Sequence, residues 1–369
     1  MAQVTIHVQP RPYQARIENG LLARAGSLLA ELLPQSSKLF VVTVPPVRRR
    51  WGTKLIRSLT SASFKPQILQ MPDGEPAKKL ETIESLAEKL SRLGADRKAV
   101  LIAFGGGVVG DVTGLLASLY MRGVELVQIP TTVLAQVDAS VGGKTAVNLG
   151  AGKNLLGTFH QPRVVLIDPE ILRTLPIREF RAGLYEALKC GIVGDLELFR
   201  RFEQKRAQIL QRDPVELEGL IAQSVKLKAE VVSADEYEGG LRRVLNLGHT
   251  IGHALEAETG YQSLLHGEAV AWGMIAATNI ALTVGRTDSV TAGRIADAVL
   301  GLGRLPELKV SARKILARLQ ADKKTQNGAV HFVLPREIGK VEITADVPDS
   351  VVVSAVEELR RLSHGGWGK

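Results

Sequence analysis

The chain has 369 residues, enough for two domains each with its own core, and its 45% hydrophobic and 23% charged content is that of a globular protein. Only 4% of residues are aromatic, few rings on which nucleic-acid bases could stack, and a polyanionic small substrate and cofactor suit the formal charge of +9 as well as a nucleic acid would. The one cysteine, Cys190, excludes an internal disulfide and a Cys-rich metal site and fits a reducing cytoplasm, and no signal sequence or membrane-spanning apolar run is visible.

The first half alternates strand and helix signals. Residues 3–8 read as a strand, 20–33 as a helix, 38–44 as a buried strand stopped by Pro45 and Pro46, and 66–71 as a strand. A helix at 77–93, a central strand at 99–104, a helix at 108–120 and strands at 125–129 and 164–167 complete the series. Such alternation predicts a mostly parallel sheet covered on both faces. From 178 onward, segments of helical length follow one another: 178–193, 196–211, 214–232, 243–258, 267–284, 292–301 and 312–321. A hairpin-like piece at 330–335 and 340–343 precedes a last helix at 350–362 and a tail, 363–369, read as mobile. The expected organisation is an α/β domain over 1–178 and a mainly helical domain over 179–369, with a ligand cleft beyond the carboxyl ends of the strands.

FGGGVVGD at 104–111 follows the central strand and opens a helix, so its N–H groups could face an anion. Gly105, Gly107 and Gly110 satisfy G-x-G-x-x-G literally. The standard dinucleotide fingerprint also expects an acidic residue ending a strand about twenty residues on, and here Ile129 is followed by Pro130, Thr131 and Thr132. The segment therefore reads as a non-standard phosphate site, with helix–strand packing as the plainer account. Thr131 and Thr132 could donate hydroxyls to a nucleotide or cap a helix. PDGE at 72–75 with Lys78 sits at another strand end and reads equally as a charged surface turn. Residues 136–153 read as a long glycine-rich loop whose GGKT only echoes a P-loop, with Asp138, Lys144, Lys153 and Asn154 placed to hold a polyol and a phosphate.

The stretch LRRVLNLGHTIGHALEA at 241–257 organises the second half. At about 100° per residue, Arg242, Asn246, His249 and His253 fall on one helical stripe, while Gly248 and Gly252 let another backbone approach. A solvated polar face with two incidental histidines is the alternative, but the flanking Val244, Leu245, Leu247, Ile251 and Leu255 leave little surface for it. Glu186, His249 and His266 each stand in helical context among small residues, and one carboxylate with two imidazoles is a donor set suited to Zn²⁺. Spacing alone does not single this trio out. Lys189 lies one turn from Glu186.

Taken together, PDGEPAKK, GGGVVGDVTGLLASLYMRGV, QIPTTVLAQVDASVGGKTAVN, GKNLLGTFHQP, IDPEILRTLP, GLYEALK, SADEYEGGLRRVLNLGHTIGHALE, LLHGEAVAWGM and ADKK resemble the 3-dehydroquinate synthase family of sugar phosphate cyclases, in order and spacing, over roughly 71–324. The resemblance implies an NAD-binding domain with a Rossmann-like sheet, a helical metal-binding domain and a homodimer. It implies metal ligands (Zn²⁺ or Co²⁺) at Glu186, His249 and His266. The NAD contacts it implies are Asp73, Glu75, Lys78, Gly106, Gly107, Asp111, Thr131, Thr132, Lys144, Lys153, Ile171 and Thr174. Substrate contacts fall on Lys144, Asn154, Lys228, Arg242, Asn246 and Lys323 or Lys324, of which Lys324 is preferred. Arg122 matches an arginine that reaches the neighbouring subunit's phosphate site. Catalytic roles fall on Asp138, Lys189, Glu238 and His253, the last two in proton handling. One departure is Val44, where the family often carries an acidic contact to the adenosine side.

The activity implied is conversion of 3-deoxy-D-arabino-heptulosonate 7-phosphate to 3-dehydroquinate and phosphate, by transient oxidation with NAD⁺, β-elimination, reduction, ring opening and aldol closure. Lys228 and Arg242 would take the substrate carboxylate, Arg being its natural bidentate partner. Two other enzymes share enough of this pattern to be tested: a cyclase acting on an amino analogue, and a metal-dependent polyol dehydrogenase releasing net NADH. A basic nucleic-acid module would leave the histidine–glutamate set unused.

Overall fold

The first strands are short and alternate in burial. β1 (Ala2–Ile6) and β2 (Tyr13–Ile17) pair antiparallel, and β2 then runs parallel to the strand that ends the α/β series. Between them and that strand come α1 (Ala25–Ala30), β3 (Leu39–Thr43), α2 (Pro45–Val47), α3 (Thr53–Ser61), β4 (Gln67–Gln70), α4 (Leu80–Arg92), β5 (Val100–Gly105), α5 (Gly107–Leu119) and β6 (Glu125–Pro130). A hairpin, β7 (Lys144–Leu149) with β8 (Gly152–Phe159), precedes β9 (Val164–Ile167). The seven-stranded sheet has the order β1-β2-β9-β6-β5-β3-β4, parallel throughout except at β1–β2. A computed structural model describes residues 1–34, 37–150, 152–325 and 330–365, the side chains of 322–325 excepted.

Two faces of this sheet are buried, which is why its strands read as continuous apolar runs. Phe40, Val42, Leu101 and Ala103 face a core with Leu86 and Leu90 of α4 and Val112 and Leu116 of α5. Their neighbours Leu39, Val41, Val100 and Ile102 face Leu28 and Leu29 of α1 and Leu55 and Leu59 of α3. The period-2 alternation thus divides one apolar strand between two cores. Burying each such Leu or Val stabilises by about 1.5–3 kcal/mol before entropy is subtracted.

The second half continues with α6 (Ile177–Gly194), α7 (Leu196–Gln204), α8 (Arg206–Leu210), α9 (Pro214–Ala234), α10 (His249–Glu258), α11 (His266–Thr283), α12 (Ser289–Leu300), α13 (Ala312–Thr325), the hairpin β10 (Phe332–Glu337) with β11 (Lys340–Thr344), and α14 (Asp349–His364). α11 is apolar all round and buried, with Trp272 wholly enclosed, and α6, α10, α12 and α14 pack against it. Contacts divide the chain into Met1–Pro176 with Leu217–Tyr237, and Ile177–Glu216 with Glu238–Lys369. Most of α9, including Lys228, therefore belongs with the sheet unit. The α/β and helical architecture expected from the sequence is observed, and no helix among the described residues is long and apolar enough to cross a membrane. Residues 366–369 of the tail read as mobile lie outside the described residues.

Three expectations need correction. Tyr13–Ile17 is a strand the sequence reading missed, because the flanking Pro10 and Pro12 interrupt the alternation and leave only five residues to show it. Residues 136–153 are not a loop: Ala135–Ala139 is a helical turn, and Lys144 starts a strand whose Thr145 and Val147 point inward. Finally, 243–258 is not one helix, for reasons given below.

His160 follows β8, and its Nε2 donates to the Val124 carbonyl at 3.0 Å. Burial lowers its pKa below the ordinary value, outweighing the Val124 bond and Glu125, while Arg11 adds to the lowering. A histidine kept neutral in the folded state contributes stability that is complete above the unfolded pKa near 6.5 and is lost as pH falls through it. Urea midpoints are expected to be lower at pH 5.5 than at pH 7.5, and His160→Gln should narrow that gap. An unchanged gap would remove His160 from the account.

Candidate active site

The parallel register carries several candidate residues to the carboxyl end of the sheet. Gly105 pairs with Pro130, and the Thr131 N–H donates to the Gly105 carbonyl at 2.9 Å, so Gly106, Gly107, Thr131 and Thr132 emerge side by side. Asp73 follows β4 and Ile171 follows β9 at the same end. The glycines divide by role. A Cβ on Gly105 would lie 2.5 Å from Val109, and one on Gly110 would lie 3.1 Å from Gln128, so both permit helix packing. Gly106 caps α5 and leaves the first N–H groups of Gly107 and Val108 facing outward along the helix dipole. Thr132 Oγ1 accepts from the Ala135 N–H at 3.1 Å, so it caps the next turn as the sequence allowed.

Lys78 is buried and bridges two partners: its Nζ lies 2.5 Å from Asp111 Oδ2 and also donates to Asn154 Oδ1. Burial raises the Asp111 carboxyl above its ordinary pKa against the pull of Lys78. Asn148, which the sequence did not single out, ties the 72–79 turn to the hairpin: its Nδ2 donates to Glu75 Oε1 at 2.7 Å, and its Oδ1 accepts from the Asn154 N–H at 2.9 Å. Asp138 and Lys228 meet as a pair, with Lys228 Nζ 2.6 Å from both the carbonyl and Oδ1 of Asp138. Residues assigned to substrate contact and to catalysis are thus brought together in the sheet unit. Others are not. Lys144 is exposed, Lys153 is half-buried, and Thr174 is exposed, its hydroxyl accepting from Trp51 Nε1 at 2.8 Å. Arg122 is exposed in a turn at the amino end of β6, opposite the nucleotide candidates.

In the helical unit the stripe read at 241–257 breaks. Leu241–Asn246 is a 3₁₀ turn, Gly248 takes φ +80, and α10 begins only at His249. The reason lies in α11: a Cβ on Gly248 would stand 2.7 Å from the Val270 carbonyl oxygen and 2.9 Å from Met274 N. The close backbone approach expected at Gly248 and Gly252 is present, but at Gly248 it requires the left-handed conformation that ends one helical segment and starts another. Arg242 and Asn246 therefore stand on a separate turn from His249 and His253. Asn246 Nδ2 donates to Glu238 Oε1 at 3.2 Å, and Arg242 is buried.

The restart at His249 aims its imidazole at α6. Glu186 Oε1 lies 3.7 Å from His249 Nε2 and 3.5 Å from His266 Nε2, while Lys189 Nζ lies 2.5 Å from Glu186 Oε2. Glu186 is 1% exposed, and among the described residues neither of its oxygens has a hydrogen bond of good geometry. Burial alone would raise its pKa; Lys189 and the two imidazoles outweigh that and hold it well below the carboxylate range. Burial, then Lys189, keeps His249 neutral. For His266, burial pulls down, but Glu186 and Glu256 together push it up to about 10. The outer nitrogens are engaged: His249 Nδ1 with the Leu247 carbonyl at 3.2 Å, His266 Nδ1 with Glu256 Oε2 at 3.1 Å.

This donor set fits a divalent cation. Tetrahedral ligands at zinc distances stand roughly 3.3–3.4 Å apart, close to the two Glu186–imidazole separations here. With Lys189 on Oε2, the buried carboxylate turns Oε1 to both imidazoles, so three donors face one point. His253, exposed on the next turn, offers a second geometry with His249 and His266, their ligand atoms lying within 4.8 Å of one another. Glu186 is the better third donor because its burial leaves it no solvent to turn to. Lys324 lies outside the described side chains.

The sheet unit thus opens a helix with glycines at the carboxyl end of its strands, and the helical unit gathers a buried carboxylate and imidazoles in a donor set that fits a divalent cation. Solved relatives of the chain include 2-epi-5-epi-valiolone synthase from Streptomyces hygroscopicus with NAD⁺ and Zn²⁺ bound, 32% identical, TM-score 0.88, covering 96% of this chain and 98% of that one. 2-Deoxy-scyllo-inosose synthase, complexed with carbaglucose-6-phosphate, NAD⁺ and Co²⁺, is 27% identical with TM-score 0.85, covering 98% of this chain and 99% of that one. The family model for the 3-dehydroquinate synthase N-terminal region matches residues 68–182, and that for the C-terminal region matches 183–325. A 3-dehydroquinate synthase from Koribacter versatilis is 53% identical over 99% of this chain and 100% of its own length. The chain belongs to the 3-dehydroquinate synthase family.

Proposed function

We propose that the chain converts 3-deoxy-D-arabino-heptulosonate 7-phosphate to 3-dehydroquinate and phosphate, as a carbon–oxygen lyase of the shikimate pathway. The observation that carries this reading is the full-length 53% identity to a curated 3-dehydroquinate synthase, coupled to a buried carboxylate–diimidazole set fitted for a divalent cation. When bound, NAD⁺ supplies a hydride acceptor and later donor, and the cation on Glu186, His249 and His266 supplies Lewis acidity.

The chain's own residues do the holding. The first N–H groups of α5 favour an anionic pyrophosphate, with Asp73, Glu75, Lys78, Gly106, Gly107, Asp111, Thr131, Thr132, Lys144, Lys153, Ile171 and Thr174 as nucleotide contacts. Arg242 and Lys228 take the substrate carboxylate, and Lys144, Asn154, Asn246 and Lys324 take the phosphate. Lys228 is held by Asp138 until an anion arrives, so its ammonium is oriented in advance. Glu238 and His253 hold or move protons, Glu238 within reach of Asn246. Lys189 holds Glu186 ionised and leaves Oε1 to face the imidazoles.

The same reading makes the enzyme a homodimer in which Arg122 serves the phosphate site of the partner, acting in the cytoplasm, where the buried Cys190 stays reduced. The test is phosphate release from the heptulosonate phosphate with catalytic NAD⁺, with and without chelator. Turnover without net NADH, lost on chelation, is expected. Stoichiometric NADH from glycerol without phosphate release would overturn the reading in favour of a polyol dehydrogenase, and release only from an amino analogue would change the substrate.

A further inference from the structure

His266 has a different carboxylate at each ring nitrogen. Nε2 faces Glu186, and Nδ1 faces Glu256 Oε2 at 3.1 Å. Glu256 is 2% exposed, on α10 two turns beyond His249, so its side chain returns to the same helix face at about 100° per residue. We infer that Glu256 is a positioning residue of the metal centre. Its carboxylate accepts the Nδ1–H of His266 and holds that proton in place, so that a cation replacing the Nε2 proton meets the Nε2 lone pair, and the imidazole is a stronger donor to it.

Two observations favour this over a simple link between helices. The end of α10 is already anchored through the backbone of Glu256, whose carbonyl accepts from the Tyr261 N–H at 2.8 Å, so the carboxylate is not needed for that turn. Charge points the same way: a dication with Glu186 as its anionic ligand leaves a net positive buried centre beside the Lys189 ammonium, and Glu256 supplies a second negative charge one imidazole away that lowers the excess. The other imidazole, His249, has the neutral Leu247 carbonyl at its Nδ1. The two ligands are thus oriented by unlike acceptors, and His266 is the one tuned by charge.

The inference rests on His266 being a ligand, and the experiment separates the two. Zinc dissociation constants are measured by chelator competition on metal-free protein, together with the visible spectrum of the Co²⁺ form, for the parent, Glu256→Gln, Glu256→Ala and His266→Ala. Glu256→Gln keeps an acceptor but not the charge, and should weaken zinc about tenfold with a shifted cobalt spectrum; Glu256→Ala should weaken it about a hundredfold. If the alanine variant does not fold, the isosteric glutamine variant decides alone. Binding within twofold of the parent in the glutamine variant, or equal loss in both, overturns the inference. Unchanged zinc affinity in His266→Ala would instead overturn the ligand assignment on which it stands.

Discussion

His266→Ala is expected to yield a folded protein that no longer retains zinc or cobalt and has lost about three orders of magnitude or more in phosphate release. The size follows from the several kcal/mol that a Lewis-acid cation contributes to a charged transition state, at tenfold in rate per 1.4 kcal/mol. The geometry makes His266 the most exposed point of failure. Glu186 keeps Lys189 and His249 as neighbours when His266 is removed, but two donors on a buried site hold a dication poorly. Metal content by elemental analysis and turnover with catalytic NAD⁺ are the measurements. Dialysis of the parent against chelator should reproduce the loss, and added Zn²⁺ or Co²⁺ should restore the parent but not the variant. Full turnover of either protein in chelator would remove the metal from the chemistry.

The parallel sheet was readable because its strands are buried on both faces and its helices intervene at regular spacing; residues 99–104 and 164–167 show this directly. Glycine roles were only half readable. Nothing in FGGGVVGD distinguishes Gly105, which admits Val109, from Gly106, which caps α5, since both are glycine for reasons set by neighbours elsewhere in the chain. The carboxylate–imidazole cluster was legible only through resemblance. Glu186, His249 and His266 come from three helices, and their convergence is a tertiary fact that no spacing records. Glu256 carried a usable signal: seven residues after His249, it falls within about 20° of it on a helical wheel, an acidic group on the histidine face. That signal was hidden by extending the helix back to 241, which made Arg242 and Asn246 seem the face's other members.

Gly273→Ala should cost about 3 kcal/mol or more of stability, because its methyl would stand 1.8 Å from the Gly248 carbonyl oxygen and 2.7 Å from the carbonyl carbon. Neither atom belongs to a side chain that could turn away; the backbone of α10 or of α11 must move. For a unit of this size that corresponds to a fall of roughly 6–12 °C in Tm. Gly293→Ala is the matched control. It also lies inside a helix, α12, but a Cβ there meets nothing within 4 Å, so the same substitution should stabilise by about 0.5–1 kcal/mol through lower unfolded-state entropy and better helix propensity. Both are measured on chelator-dialysed protein, which keeps metal loss out of the comparison. Zinc affinity then supplies the functional half of the result. Gly248 directly precedes His249, so a displaced Gly248 carries the imidazole away from Glu186, and Gly273→Ala should weaken zinc binding although residue 273 touches no ligand. If the variant instead matches Gly293→Ala in stability, the two helices are not packed backbone to backbone, and the left-handed turn at Gly248 loses its cause.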